Sequence, residues 1–415
     1  MWRIDRGLDA FREWVGGPGR WLRVVFAVTC VGSVAFLVFA RLDPSGTLSG
    51  GHSDHIAHIG ETRALAVAPG ALWRNSPNEL FRPVPPEQFV KLPRDIQIFS
   101  EQYPPGAYDA PGFPPDRPLV LTWGHLPKVY PPGVFVIAAP SAILHHFGLV
   151  SLSVASRIFL GILLASWIVT VVAWLRPWTK AQPPSLGRQV GTAVVLAFTW
   201  YWTMEGMYDV VAVGLATAAV AASRRERHAS AFLYWGLAVI VHSRLLTLAP
   251  LCALPAWRLL QNWKATSSAD RMKAGAGACL LASALAFAAW IQPALKRIGA
   301  SSPSPPNSVH PGSSQTLVLV AYALLVGALA FALFRRHERW DAIVIVVAAL
   351  AYSFQRHVAP WYFLPILPWV MLPPADAASA TSSGTRSGTP WSSWGASARW
   401  ALLSVFYVLS VSGYH

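Results

Sequence analysis

Long apolar runs alternate along this chain with short polar connections that are often basic. A helix rises 1.5 Å per residue, so about 20 apolar residues are needed to cross a bilayer's hydrocarbon layer. On that criterion the first span is Leu22 to Ala40. Ten more follow: Arg157 to Leu175, Gln189 to Thr203, Met207 to Ala222, Ala231 to Val241, Leu245 to Leu260, Ala274 to Ile291, Thr316 to Phe334, Trp340 to Phe354, Trp361 to Leu372 and Arg399 to Ser412. The pattern predicts an all-α polytopic membrane protein with eleven transmembrane helices.

Residues 41–156 separate the first span from the second and form a long Pro-rich loop. Two helices are expected within it. One runs from Asp54 to Val67 and continues along the membrane surface to Gly70. The other, Pro132 to Phe147, is apolar yet short for a span, and reads as re-entrant or interfacial. If it crossed, the acid-free stretch holding Arg176, Lys180 and Arg188 would fall outside, against the positive-inside rule. The Tyr-Pro-Pro-Gly at Tyr103 to Gly106 reads as a loop turn. Near the end, residues 373–398 are rich in Ser, Thr, Gly and Ala and read as a cytoplasmic linker to a last helix within residues 399–415.

Composition supports lipid as part of the solvent: 54% of residues are hydrophobic and 20 are Trp, with a mean hydropathy of +0.41. The net charge of +14 does not imply nucleic acid, because Lys and Arg occur in short runs between spans instead of on one basic face. The charge therefore reports orientation. It places the N-terminus in the cytoplasm, together with Arg224, Arg225 and Arg227, Arg258 and Lys264, and Arg335, Arg336 and Arg339. The 41–156 loop, with eight basic and nine acidic residues, suits export across the membrane. Cys30, Cys252 and Cys279 lie in apolar segments without paired spacing and are assigned to packing.

With this topology the outer helix ends gather ionisable residues: Asp54 with His52, His55 and His58, then Glu205 and Asp209, His242 and Arg244, and Arg356 and His357 beside Trp361 and Tyr362. Each alone is explained by a helix ending at the headgroups. Together they mark a site, because ionisable groups at membrane depth are costly unless they line a polar cavity. Asp43, in Asp43-Pro44-Ser45-Gly46, reads as a turn and ranks below Asp54. Positions 54 and 58 share a helix face, which permits a metal, but no zinc signature is present. No cofactor is expected; a divalent cation at Asp54 is the less favoured alternative.

Several of these residues carry a resemblance. Asp54 shortly after the first span, the Gly70, Trp73, Arg74 turn, and Tyr130-Pro131-Pro132-Gly133 before an apolar helix resemble the first extracytoplasmic loop of the GT-C superfamily of integral-membrane glycosyltransferases. Glu205-Gly206-Met207-Tyr208-Asp209, His242-Ser243-Arg244 before Pro250, and His357 with Pro360-Trp361-Tyr362 extend it toward the bacterial polyprenol-phosphate-mannose-dependent branch. The chain departs in its long Trp73 to Tyr130 segment and in holding Arg244, with His242 beside it, where such enzymes often keep a basic residue.

The resemblance implies a GT-C-like transmembrane catalytic domain over residues 1–372 and transfer of a hexose, mannose above all, on the extracytoplasmic side. The donor would be a polyprenyl-phosphate sugar and the acceptor a lipid-linked or envelope glycan, with membrane lipid as the remaining partner and no nucleic acid. Asp54 would be the general base. Arg244, His242, Arg356 and His357 would hold the donor phosphate. His55, His58, Tyr130, Glu205, Asp209, Trp361 and Tyr362 would line the substrate pocket. The alternative is a transporter or flippase for a lipid-linked saccharide, which should show internal repeats and charges near the midplane.

Overall fold

A computed structural model describes residues 13–14, 16–39, 54–102, 105–128, 130–176, 186–242, 245, 250–301 and 367–371. Helix α1 (Arg20–Phe39) opens it. The long loop follows as α2 (Asp54–Leu65), a 3-10 turn (Ala71–Trp73), α3 (Pro77–Leu80), β1 (Arg82–Pro83), α4 (Pro86–Phe89), α5 (Arg94–Gln102), β2 (Pro105–Asp109), β3 (Leu119–Thr122) and α6 (Pro132–His146). The bundle continues with α7 (Leu152–Leu175), α8 (Leu186–Met204), α9 (Asp209–Arg224), α10 (His228–Val241), α11 (Pro250–Gln261), α12 (Ser268–Trp290), α13 (Gln292–Ser301) and α14 (Leu367–Met371).

Among these, α1, α7 and α12 are long and apolar enough to cross a membrane, with mean hydropathies of 2.3, 2.4 and 1.5. This marks a helical membrane protein. The spans expected at Thr316 to Phe334, Trp340 to Phe354 and Arg399 to Ser412 lie outside the described residues, as does Trp361 to Leu372 apart from α14.

Helix α7 forms the spine. Its Trp167 and Trp174 are buried, and their indole nitrogens donate to Thr199 Oγ1 at 2.9 Å and Thr217 Oγ1 at 3.1 Å. Each bond satisfies a donor that would be costly in an apolar interior and ties α7 to α8 or α9. Helix α7 starts earlier than the expected Arg157, because Ser151 caps it by accepting from the Val154 amide.

Two expectations for the loop are corrected. Its first helix ends at Leu65 instead of reaching Gly70, since Pro69 has no N–H for the helical ladder and biases Ala68 away from helix. Pro105 and Gly106, read as part of a turn, instead open β2. A first strand position tolerates Pro because its missing donor need not be paired. The loop thus holds a three-stranded antiparallel sheet, β1-β2-β3, while the other regular elements among the described residues are helical. Tyr108 of β2 pairs with Leu119 of β3 and with Pro83 of β1.

All four residues of β3 are buried, because α2 lies directly on the strand. Contact is so close that a Cβ at Gly60 would fall 1.8 Å from the Val120 carbonyl oxygen. Helix α6 packs against α2, α7 and α10. Its first turn meets the last turn of α10, where a Cβ on Gly133 would lie 2.7 Å from the Ile240 oxygen and the Val241 Cα. These approaches bring the start of the loop, its end and the His242 segment together.

Candidate functional site

Helical spacing places positions 54, 58 and 61 on one stripe of α2. His55, His58 and Glu61 on this helix are all buried. His58 Nδ1 lies 3.3 Å from Glu61 Oε2, and Lys128 Nζ lies 3.2 Å from Glu61 Oε1. The Lys128 ammonium also donates to the carbonyl of Thr122, the last residue of β3. Burial pushes the Glu61 carboxyl upward, but the Lys128 charge and the His58 contact outweigh it and hold the group below the ordinary carboxylate range. An ionised carboxylate only accepts, so the proton shared with His58 resides on Nδ1. Its Nε2 is buried and without a hydrogen-bond partner among the described residues.

Aromatic rings extend the cluster. The His58 ring meets Tyr130 edge to face at 4.6 Å and Tyr208 at 5.2 Å, and the two tyrosine rings lie 5.8 Å apart. On its other side Tyr208 lies 5.9 Å from the His242 ring. His242 Nε2 sits 2.7 Å from Asp209 Oδ1, at ion-pair distance, with both side chains buried. The chain path before α6 is held by the Trp73 indole, which donates to the Tyr130 carbonyl at 2.8 Å.

The turn from Glu205 to Asp209 is seated on the first turn of α2. Gly206 adopts φ 91°, a left-handed conformation natural to glycine. A Cβ there would stand 2.9 Å from His55 Nδ1. Glu205 is fully buried in this turn, and Asp209 opens α9.

Of the residues singled out in the sequence, the fold gathers His55, His58, Tyr130, Glu205, Asp209 and His242 into one connected region built from α2, the α6 entry, the α8–α9 turn and the α10 exit. Asp54 is described only as the first residue of α2; its side chain, together with Arg244, Arg356, His357, Trp361 and Tyr362, lies outside the described residues. Sequence reading missed Glu61, Lys128 and Tyr208. Glu61 could have been found from its spacing of three from His58, and Tyr208 from its place inside the quoted Glu205 to Asp209 motif. Lys128 stands two residues before Tyr130, but nothing local pairs it with a helix so far upstream.

Among the described residues no three His, Cys, Asp or Glu side chains gather closely enough to hold a metal ion. The arrangement does offer a buried carboxylate–ammonium pair, two histidines each next to a carboxylate, and tyrosine rings between them. Such a set can orient hydroxyl and phosphate groups by hydrogen bonding in a setting of low dielectric. Comparison with protein families, with curated proteins and with solved structures gave no match for this chain.

Proposed function

We propose that the chain is a GT-C-type glycosyltransferase of a bacterial-type inner or plasma membrane. It would transfer a hexose, mannose above all, from a polyprenyl-phosphate donor to a lipid-linked or envelope glycan on the extracytoplasmic side. The observation that carries this reading is the meeting of α2, which begins at Asp54, with the Glu205 to Asp209 turn and His242. Segments far apart in sequence, each quoted for the resemblance, share one buried region. Three helices able to cross a membrane supply the setting that a lipid-linked donor requires.

In this mechanism Asp54 takes the proton of the acceptor hydroxyl while its oxygen attacks the anomeric carbon. The bond from that carbon to the donor phosphate oxygen breaks with inversion, and the polyprenyl phosphate leaves with the electron pair. A single carboxylate suffices because the phosphate is already a competent leaving group. Arg244 and Arg356 stabilise the charge growing on the phosphate through their planar donor forks, aided by His357 and His242. Asp209, 2.7 Å from His242 Nε2, fixes that imidazole's orientation. The pocket residues His55, His58, Tyr130, Glu205, Asp209, Trp361 and Tyr362 surround the sugar and acceptor. No step needs a cofactor.

The test is a membrane assay that offers labelled polyprenyl-phosphate sugars one at a time and follows label into endogenous lipid and glycan. Transfer from one donor that depends on this chain is the expected result. Absence of transfer from every donor, with the chain inserted at normal abundance, removes the proposal.

A further inference from the structure

Glu61 engages both of its carboxylate oxygens inside the protein. Oε2 lies 3.3 Å from His58 Nδ1, and Oε1 lies at ion-pair distance, 3.2 Å, from Lys128 Nζ. All three side chains are buried. Charges are a costly joint between the loop and α2, because both ions are stripped of water, and apolar residues of similar size often hold such a place as well or better. What apolar residues cannot do is set the state of an imidazole.

The hydrogen bond made by one ring nitrogen of a histidine decides where the proton sits and how the other nitrogen is presented. Here Glu61 occupies Nδ1. The rings of Tyr130 and Tyr208 stand edge to face with the imidazole at 4.6 and 5.2 Å, and Phe159 lies 6.1 Å away. The ring is thereby held in one of its two flips, with Nε2 buried and unmatched among the described residues. A buried polar atom left in this way is destabilising unless something else meets it.

The His242 pair explains why Lys128 is needed. His242 Nε2 lies 2.7 Å from Asp209 Oδ1, and Asp209 opens α9, whose positive end favours a carboxylate. Glu61 stands toward the C-terminal end of α2, where the helix gives no such support. Lys128 supplies the missing charge from the segment before α6, and is itself fixed by donating to the Thr122 carbonyl. The Glu61 carboxyl is accordingly held below the ordinary range in spite of its burial.

We propose that Glu61 and Lys128 are positioning residues of the glycosyl transfer, acting through His58, whose Nε2 they turn toward a hydroxyl of the bound substrate. A hydroxyl suits that nitrogen because it either donates to it or accepts from it. The assignment rests on the functional reading above and adds to it two residues that touch no substrate themselves.

Replacing both charges separates positioning from support. Glu61→Met/Lys128→Met removes the two buried ions together, so the melting temperature of the purified full chain should stay near the parent's, while His58 loses its acceptor at Nδ1. Transfer from labelled polyprenyl-phosphate mannose, assayed at matched membrane abundance, should fall about 10²-fold in kcat with little change in KM, the scale of a misplaced catalytic contact. Transfer at the parent's rate in this variant would show that the pair only supports the fold, and overturns the assignment. If the double variant does not insert, the isosteric Glu61→Gln at matched abundance is read in the same way.

Nitrogen NMR of the histidine-labelled chain in lipid reads the geometry without any substrate, with the His58 signals identified by their loss in His58→Gln. The parent should carry a proton on His58 Nδ1, and the double variant should lose that preference. A bare Nδ1 in the parent overturns the assignment, and if the parent transfers sugar it leaves the glycosyltransferase standing. A protonated Nδ1 with no transfer from any donor removes the glycosyltransferase and the positioning role with it, leaving only the His58 arrangement.

Discussion

The Lys128 ammonium lies 3.2 Å from Glu61 Oε1, and neither side chain reaches solvent. The pair joins the end of the 41–156 loop to α2, and each buried charge is offset by the other. Removing one partner leaves a buried, uncompensated charge, which typically costs 3 to 5 kcal/mol. Lys128→Met and Glu61→Gln should therefore each lower the unfolding temperature of the purified chain, and the double variant should recover much of the loss. Additive losses would show that the two side chains do not act as a pair. Because the folded Glu61 pKa is depressed, its stabilisation is present above the unfolded carboxylate pKa and is lost as pH falls through the lower folded value.

His145 offers a separate pH probe. It is buried at the end of α6, and burial followed by the Arg63 charge lowers its pKa to about 4, with Arg117 acting in the same direction and the Val150 carbonyl and Asp95 against it. Unfolded, the imidazole titrates near its ordinary value of about 6.5 and binds a proton that the folded state refuses. Stability should thus fall as pH drops from about 6.5 toward about 4, by on the order of 3 kcal/mol, and level off below. His145→Phe should flatten that part of a melting-temperature profile, and an unchanged slope would place the titration elsewhere.

Glycine substitutions test the two closest approaches. Gly206→Ala puts a side chain at φ 91° against His55, with backbone strain of about 1 to 2 kcal/mol before any steric cost. Gly60→Ala drives a methyl into the Val120 carbonyl and should be worse, because backbone cannot give way as a side-chain tip can. Gly161→Ala, which meets open space, should be neutral or stabilising by up to about 1 kcal/mol. Similar melting temperatures for all three would contradict the packing of α2 on β3 and on the α8–α9 turn.

For the chemistry, Asp54→Asn should insert and bind donor nearly as the parent does while turnover falls about 10² to 10⁴-fold, the usual cost of losing a general base. Asp43→Asn should be mild. Both are assayed at matched membrane abundance, since failed insertion imitates failed catalysis. Retained transfer in Asp54→Asn with loss in Asp43→Asn would transfer the base role to Asp43, and retention in both would end the mechanism.

Topology has its own measurement. A reporter in the exposed turn at residues 147–149, between α6 and α7, should report the extracytoplasmic side, and one within residues 375–397 the cytoplasm. A cytoplasmic signal at the first position would mean that α6 crosses.

Hydrophobic runs made the described helices legible, since Leu22 to Ala40 and Ala274 to Ile291 both fall on helices long enough to span. His55, Glu205, Asp209 and His242 stand out in the sequence because each lies near a helix end on the same predicted side, and the fold places them in one region with His58. The sheet was not legible. Its strands are two to five residues long, one opens with Pro105-Gly106, and no alternation of polar and apolar residues marks β3, all of which is buried. The Glu61–Lys128 pair was equally silent, because charge pairing across a long loop leaves no local spacing to read. Helix α6 was legible as a short apolar element, but the sequence does not record the three helices it packs against.

The seat of Gly133 against Val241 sets an order on biogenesis. Chains are synthesised from the N-terminus, so α6 emerges before the α10 turn that its first residues must dock against. During that interval α6 already has partners in α2 and in Trp73, which holds the Tyr130 carbonyl and packs on Phe135, while the surface around Gly133 is uncovered until α10 arrives. The α2 and β3 platform, synthesised before α6, is therefore the surface on which it first rests. Lesions in that platform should surface first as chains degraded during membrane integration.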